Sequence, residues 1–156
     1  MRVIFLDIDG VLNCQIFYEK NSFNHRQDTW VKQNICTERM GWLNDLCEKV
    51  GAKVVISSSW RIGRRLDELK EELKSVGATF DIIGFTPNLR GDGYLRGNEI
   101  YKYIEDNLGG SEYRDYVIID DDSDMLLWQA KHFFQTDSYS GLTPNTCYKI
   151  NRFFNV

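Results

Sequence analysis

The sequence predicts an α/β protein with a mainly parallel sheet covered by helices on both faces. Short apolar runs rich in β-branched residues recur along the chain, patterns of helical period separate most of them, and two of the runs stop abruptly in carboxylates.

Residues 3–6 (VIFL) are apolar at consecutive positions, as in a strand buried on both faces, and lead directly into Asp7, Asp9 and Gly10. Further strands are expected at residues 53–57 (KVVIS), 80–85 (FDIIGF), 116–120 (YVIID) and 132–136 (HFFQT), with His132 opening the last. A helix is expected from near Thr37, because Met40, Leu43, Cys47 and Val50 share one face and Gly51 is placed to stop it. Leu66, Leu69, Leu73 and Val76 define a second helix ended by Gly77; Ile100, Ile104 and Leu108 define a third before Gly109 and Gly110. Residues 124–131 read as a shorter helix. Thr143 and Pro144 read as an N-cap and a first helical position, opening a last helix through Ile150 and Phe154.

The exception is residues 14–34, which are polar and aromatic without clear periodicity. They are expected to form a loop or flap beside the acidic end of the first strand, with His25 in it. The 156 residues fit one domain spanning 1–156, and 42% hydrophobic content supplies its core. A net charge of −4 argues against holding nucleic acid by bulk electrostatics, although a local basic patch is compatible with it. The apolar run before Asp7 is too short for a signal segment or a membrane span, so a cytoplasmic protein is expected. Cys14, Cys36, Cys47 and Cys147 form no CxxC pair and have no histidine at zinc-site spacing, so they are expected to be reduced thiols.

Chemistry is concentrated at the strand ends. In open α/β sheets ligands bind at the carboxyl edge, and Asp7 and Asp9 sit there as like charges that a cation or a shared proton must relieve. The second strand ends in Ser57, Ser58, Ser59, Trp60 and Arg61, whose hydroxyls suit anionic oxygens. The run at 116–120 ends in Asp120, Asp121, Asp122, Ser123 and Asp124. Parallel strands that bring the two acidic ends together make a hard, oxygen-rich site suited to Mg²⁺. Arg96, at the start of the helix containing Ile100, is a cation able to offset carboxylate charge and bind a phosphoryl oxygen.

In this order, DIDGVLN, VVISSSW, the single arginine at a helix start and IIDDDSD resemble the four motifs of haloacid dehalogenase-like (HAD) phosphatases, across residues 3 to about 125. The SSSWR and QTD…GLT segments are similar to phosphatase domains of nucleic-acid repair proteins. The resemblance implies a Rossmann-like three-layer α/β/α domain without a large cap. It implies Asp7 as the nucleophile forming an aspartyl phosphate and Asp9 as general acid and then general base. It further implies Mg²⁺ on Asp7 and Asp120, with the Asp9 backbone carbonyl and Asp121 or Asp124 completing or supporting the shell. Ser57 would contact the phosphoryl group and Arg96 offset its charge, with Ser58, Trp60 and Arg61 beside the substrate. The register between Ser57 and Ser58 stays open, as does the choice between Arg96 and Arg90.

The same residues have plainer uses. Asp-Gly is a common turn signal, acids cap helices, and serines do likewise. Arg61, Arg64 and Arg65 read either as a solvated face paired with Asp67, Glu68, Glu71 and Glu72 or as phosphate contacts. Trp30, Trp42 and Trp128 read as packing residues, whereas Tyr18, Phe17 and Phe23 are candidates to stack a base. Residues 60–96 have room for one helix, one strand and a short loop, while a folded cap needs ~50 residues. An open site favours a phosphate on a DNA or RNA end; the alternative is a nucleotide or sugar phosphate. A different class, a non-catalytic phospho-acceptor or binding module, is disfavoured by Asp9, placed two residues after Asp7 to help hydrolyse an intermediate.

Overall fold

The computed structural model describes residues 1–21, 29–89, 91 and 94–155. Strands β1 (Arg2–Leu6), β2 (Ala52–Ile56), β3 (Ile82–Phe85), β4 (Tyr116–Asp120) and β5 (Phe133–Gln135) form one sheet in the order β3-β2-β1-β4-β5. Every pairing is parallel.

The apolar runs are continuous because both faces are covered, and alternate residues serve different layers. Ile4, Leu6, Val54, Ile56, Val117 and Ile119 pack on one face against helices α3 (Thr37–Val50), α4 (Leu66–Ser75) and α6 (Pro144–Phe154). Val3, Phe5, Val55 and Ile118 pack on the other against Ile100, Tyr103 and Ile104 of α5 (Arg96–Asn107). The result is the expected three-layer Rossmann-like arrangement. Gly51 ends α3 at φ +63°, a conformation an L side chain resists, and its N–H donates to the carbonyls of Cys47 and Glu48. Thr143 caps α6 by accepting from the Thr146 N–H, and Pro144 follows as expected.

Three expectations are corrected. Residues 14–34 are not all loop, since they contain short helices α1 (Gln15–Lys20) and α2 (Trp30–Asn34). Phe17 of α1 is buried with Cys14 and Cys36, and Thr29 caps α2, so local packing and a cap make helix where periodicity gives no signal. Residues 124–131 form no α-helix; a 3-10 helix runs over Leu127–His132 instead. Buried Gln129 accepts from the Leu126 N–H and donates to the Gly97 carbonyl, whereas Leu127 and Trp128 stay exposed, so a tertiary hydrogen bond and not an apolar face sets the conformation. His132 belongs to that turn and bonds the Tyr116 carbonyl through Nδ1, leaving the strand to begin at Phe133.

All four cysteines are free, as expected. No helix among the described residues is long and apolar enough to cross a membrane. His25, Phe23 and Arg90 lie outside the described residues.

Candidate active site

The sheet register assembles the site. Leu6, the last residue of β1, is level with Ile56 of β2 and with Ile119 of β4. The next residue on each strand therefore emerges at the same carboxyl edge: Asp7 in the middle, Ser57 on one side, Asp120 on the other. Two backbone bonds fix this, Ser57 N–H to the Leu6 carbonyl (3.0 Å) and Asp7 N–H to the Ile119 carbonyl (2.9 Å). Because β1 is flanked by strands whose connections leave in opposite directions, this edge is also the topological switch point of the sheet.

One oxygen each from Asp7, Asp120 and Asp121 can be chosen so that all lie within 4.8 Å of one another. Asp120 is fully buried and Asp7 nearly so. Gly10 makes room for the third acid: a Cβ there would lie 2.3 Å from Asp121 Cγ, and φ of +73° already favours glycine. Asp120 Oδ1 accepts from the Asp122 N–H (2.9 Å), but Asp120 Oδ2 is buried without a hydrogen bond.

Arg96 opposes this charge. Its Nη1 donates to Asp7 Oδ1 (3.0 Å) and to the Ser57 carbonyl (2.9 Å). Its Nε is 3.3 Å from Asp120 Oδ2, near enough for attraction though not aligned as a hydrogen bond. A cation opening a helix works against the helix dipole, and Asp124 compensates by accepting from the Arg96 N–H (2.9 Å). Gly97 permits the close approach, since a Cβ there would lie 2.6 Å from the Leu126 nitrogen.

The acids nevertheless outnumber the guanidinium. Burial raises the Asp7 pKa, and Arg96 only partly offsets it. Burial, followed by the charge of Asp7, pushes Asp120 up to about 8. Asp121 is raised by burial and then by Asp122. For Arg96, burial works against the charge but Asp7, Asp120, Tyr94 and Asp124 outweigh it, so its pKa rises. An all-oxygen set with excess negative charge and a buried carboxylate oxygen that no hydrogen bond satisfies fits a hard divalent cation.

Of the two candidates for the last acid, Asp121 joins the cluster, whereas Asp124 holds the Arg96 backbone. The serines also divide. Ser57 Oγ is buried without a partner at the strand edge, while Ser58 accepts from the Trp60 N–H (3.3 Å) and works against the burial that raises the Asp7 pKa. Asp9 is exposed, and each of its oxygens is held: Asn13 Nδ2 donates to Oδ1 (2.8 Å) and Trp60 Nε1 to Oδ2 (3.0 Å).

Asn13 is a residue that sequence reasoning missed. It is buried, accepts from the Gly10 N–H through Oδ1, and ties Asp9 to the Asn34 carbonyl of α2. Its signal is the spacing of four from Asp9 inside the first motif.

Neither expectation for Arg61 describes it. Its guanidinium is buried and bonds the carbonyls of Ser57, Ser58, Thr86 and Pro87 and the carboxylate of Glu99. Arg61 is a strut binding the second motif to the β3 exit and to α5. Arg64 and Arg65 pair with Glu72 and Asp67, as the solvated-face reading expects. Of the stacking candidates in α1, Phe17 is buried and Tyr18 is exposed, with its hydroxyl donating to Asn34 Oδ1.

A parallel sheet that gathers these acids, a serine and an arginine at the end of β1 defines a haloacid dehalogenase-like, phosphatase-like domain. More narrowly, residues 3–147 match the model of the family described as the HAD domain in Swiss Army Knife RNA repair proteins, and the chain belongs to that family. No curated protein and no solved structure matches it.

Proposed function

We propose that the protein is a Mg²⁺-dependent phosphomonoester hydrolase that works through an aspartyl phosphate and acts on a phosphorylated nucleic-acid end. The observation that carries this reading is the convergence of Asp7, Asp120 and Asp121 within 4.8 Å beside Arg96, with one Asp120 oxygen unsatisfied. Asp7, Asp120 and Asp121 would hold the ion, helped by the Asp9 carbonyl. When bound, Mg²⁺ supplies positive charge for the phosphoryl oxygens and for the crowded carboxylates.

An Asp7 carboxylate oxygen attacks phosphorus as the bond to the leaving oxygen breaks, and Asp9 gives that oxygen a proton. Water then attacks the aspartyl phosphate while Asp9 takes its proton, releasing inorganic phosphate and regenerating Asp7. Asn13 and Trp60 orient Asp9 through both steps. Arg96 and the Ser57 hydroxyl stabilise charge on the transferring group, an effect that commonly supplies the largest part of the rate gain.

Two observations favour a polynucleotide end. The family is described by its occurrence in RNA repair proteins, and between Arg61 and Arg96 the described residues form no cap, only α4 and β3. Helices α1 and α2 serve as a flap, with α2 tied to the site through Asn13 and the Asn34 carbonyl. Free cysteines accord with a cytoplasmic protein.

The test is Mg²⁺-dependent phosphate release from RNA and DNA oligonucleotides phosphorylated at either end, from mononucleotides and sugar phosphates, and from phosphopeptides. Release from an oligonucleotide end supports the proposal. Preference for free nucleotides or sugar phosphates would overturn the substrate class, and a stable phosphoprotein without turnover would overturn the hydrolase.

A further inference from the structure

We infer that Trp30 and Trp60, braced by Arg64, form a stacking subsite for the base of the nucleotide that carries the phosphate. This rests on the assignment of Asp9 as the acid that protonates the leaving oxygen. The Trp60 indole lies against that acid, fixed by its Nε1 hydrogen bond to Asp9 Oδ2.

Trp60 is 8% exposed, yet the second indole laid over it is not buried. Trp30 lies with its ring centroid 4.4 Å from that of Trp60, tilted by 45°, and is 51% exposed. Half of the Trp30 surface is thus open to a ligand directly over an indole that is itself held against Asp9. The Arg64 guanidinium lies 5.2 Å from the Trp30 ring centre and 6.0 Å from that of Trp60, and Glu72 holds it by an ion pair. The two indoles are thus held in place before a ligand arrives, with a cation at their side.

A base is the occupant this chemistry favours. An apolar, planar surface with an adjacent cation suits a π-face, and every base has one. The scissile phosphate of a nucleic-acid end is one sugar away from its base, so a base belongs beside the leaving-group oxygen. With a net charge of −4 the chain lacks the bulk attraction that usually holds a polyanion, and stacking supplies affinity that does not depend on net charge.

The test measures binding, so it does not depend on turnover. The Asp7→Asn variant is titrated in Mg²⁺ with short RNAs phosphorylated at the 3′ or the 5′ end, each compared with an RNA whose terminal nucleotide is abasic, reading tryptophan fluorescence. At one of the ends the base is expected to tighten binding by about 5- to 150-fold and to quench the indoles. Adding Trp30→Ala should bring that ratio close to one, and Trp30→Phe should retain most of it. The proposal is overturned by a ratio near one at both ends, by a ratio Trp30→Ala leaves unchanged, by no measurable binding, or by a phosphotyrosine peptide whose binding depends more on Trp30. Phosphate release by the unaltered chain separates the two readings: base-dependent binding without hydrolysis removes only the hydrolase, and hydrolysis indifferent to the base removes only the subsite.

Discussion

Arg96 lies 3.0 Å from Asp7 through Nη1, so the proposed nucleophile is already paired with the group that would meet the incoming phosphate. The pairing orients Asp7 Oδ1 without neutralising the cluster, because the same guanidinium also serves Asp120. A phosphate oxygen would compete for Arg96 at the moment Asp7 is needed for attack.

Replacing Asp7 with asparagine keeps the shape and removes the anionic nucleophile. Phosphate release should fall by about 10³-fold or more, with the thermal unfolding midpoint preserved or raised. Steady-state phosphate assays and calorimetry check both, and undiminished turnover would remove Asp7 from its role.

Asp120 links metal and pH. An acid whose pKa is raised in the folded chain stabilises it fully below the ordinary carboxylate range, and that contribution is lost as pH rises through the folded value, about 8 here. Metal-free protein should therefore lose stability from about pH 4 to pH 8, and Mg²⁺ should restore most at the alkaline end. Each tenfold change in proton affinity is worth about 1.4 kcal/mol. In Asp120→Asn the alkaline loss should shrink while Mg²⁺ affinity drops by about 100-fold or more, since even groups behind a metal ligand commonly matter about 10- to 100-fold. Thermal melts across pH, with and without Mg²⁺, measure both effects, and an unaltered Mg²⁺ response in the variant contradicts the ligand assignment.

Gly10→Ala places a methyl group 2.3 Å from Asp121 Cγ at a positive φ. Backbone strain should cost about 1–2 kcal/mol, and displacement of Asp121 should weaken Mg²⁺ binding as well. Chemical denaturation and a Mg²⁺ titration of the variant separate the two, and normal Mg²⁺ affinity would take Asp121 out of the shell.

Arg61 and Glu99 are predicted to matter through folding. Both are buried and paired, so Glu99→Gln or Arg61→Met should cost about 3–5 kcal/mol by stranding the other charge. Denaturant unfolding gives the magnitude. A variant of normal stability with weakened substrate binding would instead return Arg61 to the substrate.

Much of this was legible in the sequence because the central strands are buried on both faces and announce themselves as apolar runs; β4 falls at the bounds its pattern predicts. That Asp7, Ser57 and Asp120 meet at one sheet edge was legible because each directly follows or ends such a run. Arg61 was not, because a one-dimensional pattern places an arginine near serines but cannot show the four carbonyls and the carboxylate that enclose it. That Asp121 and not Asp124 joins the cluster with Asp7 and Asp120 was equally hidden, since it depends on Gly10 clearing space from a distant segment. The short helices of 14–34 and the turn over Leu127–His132 depend on tertiary partners, where local periodicity carries no information.

The alignment of Leu6 with Ile56 and Ile119 ties the chemistry to completion of the sheet. Side chains alternate along a strand, so β4 docking one position out of step would turn Asp120 toward the opposite layer and break up its cluster with Asp7 and Asp121. Partners so remote along the polymer meet late during folding, because loop closure is costly before those contacts repay it. Any catalytic signal from this chain thus reports that its most non-local pairing has formed correctly, and a fragment stopping short of β4 would be inert however well its first half collapsed.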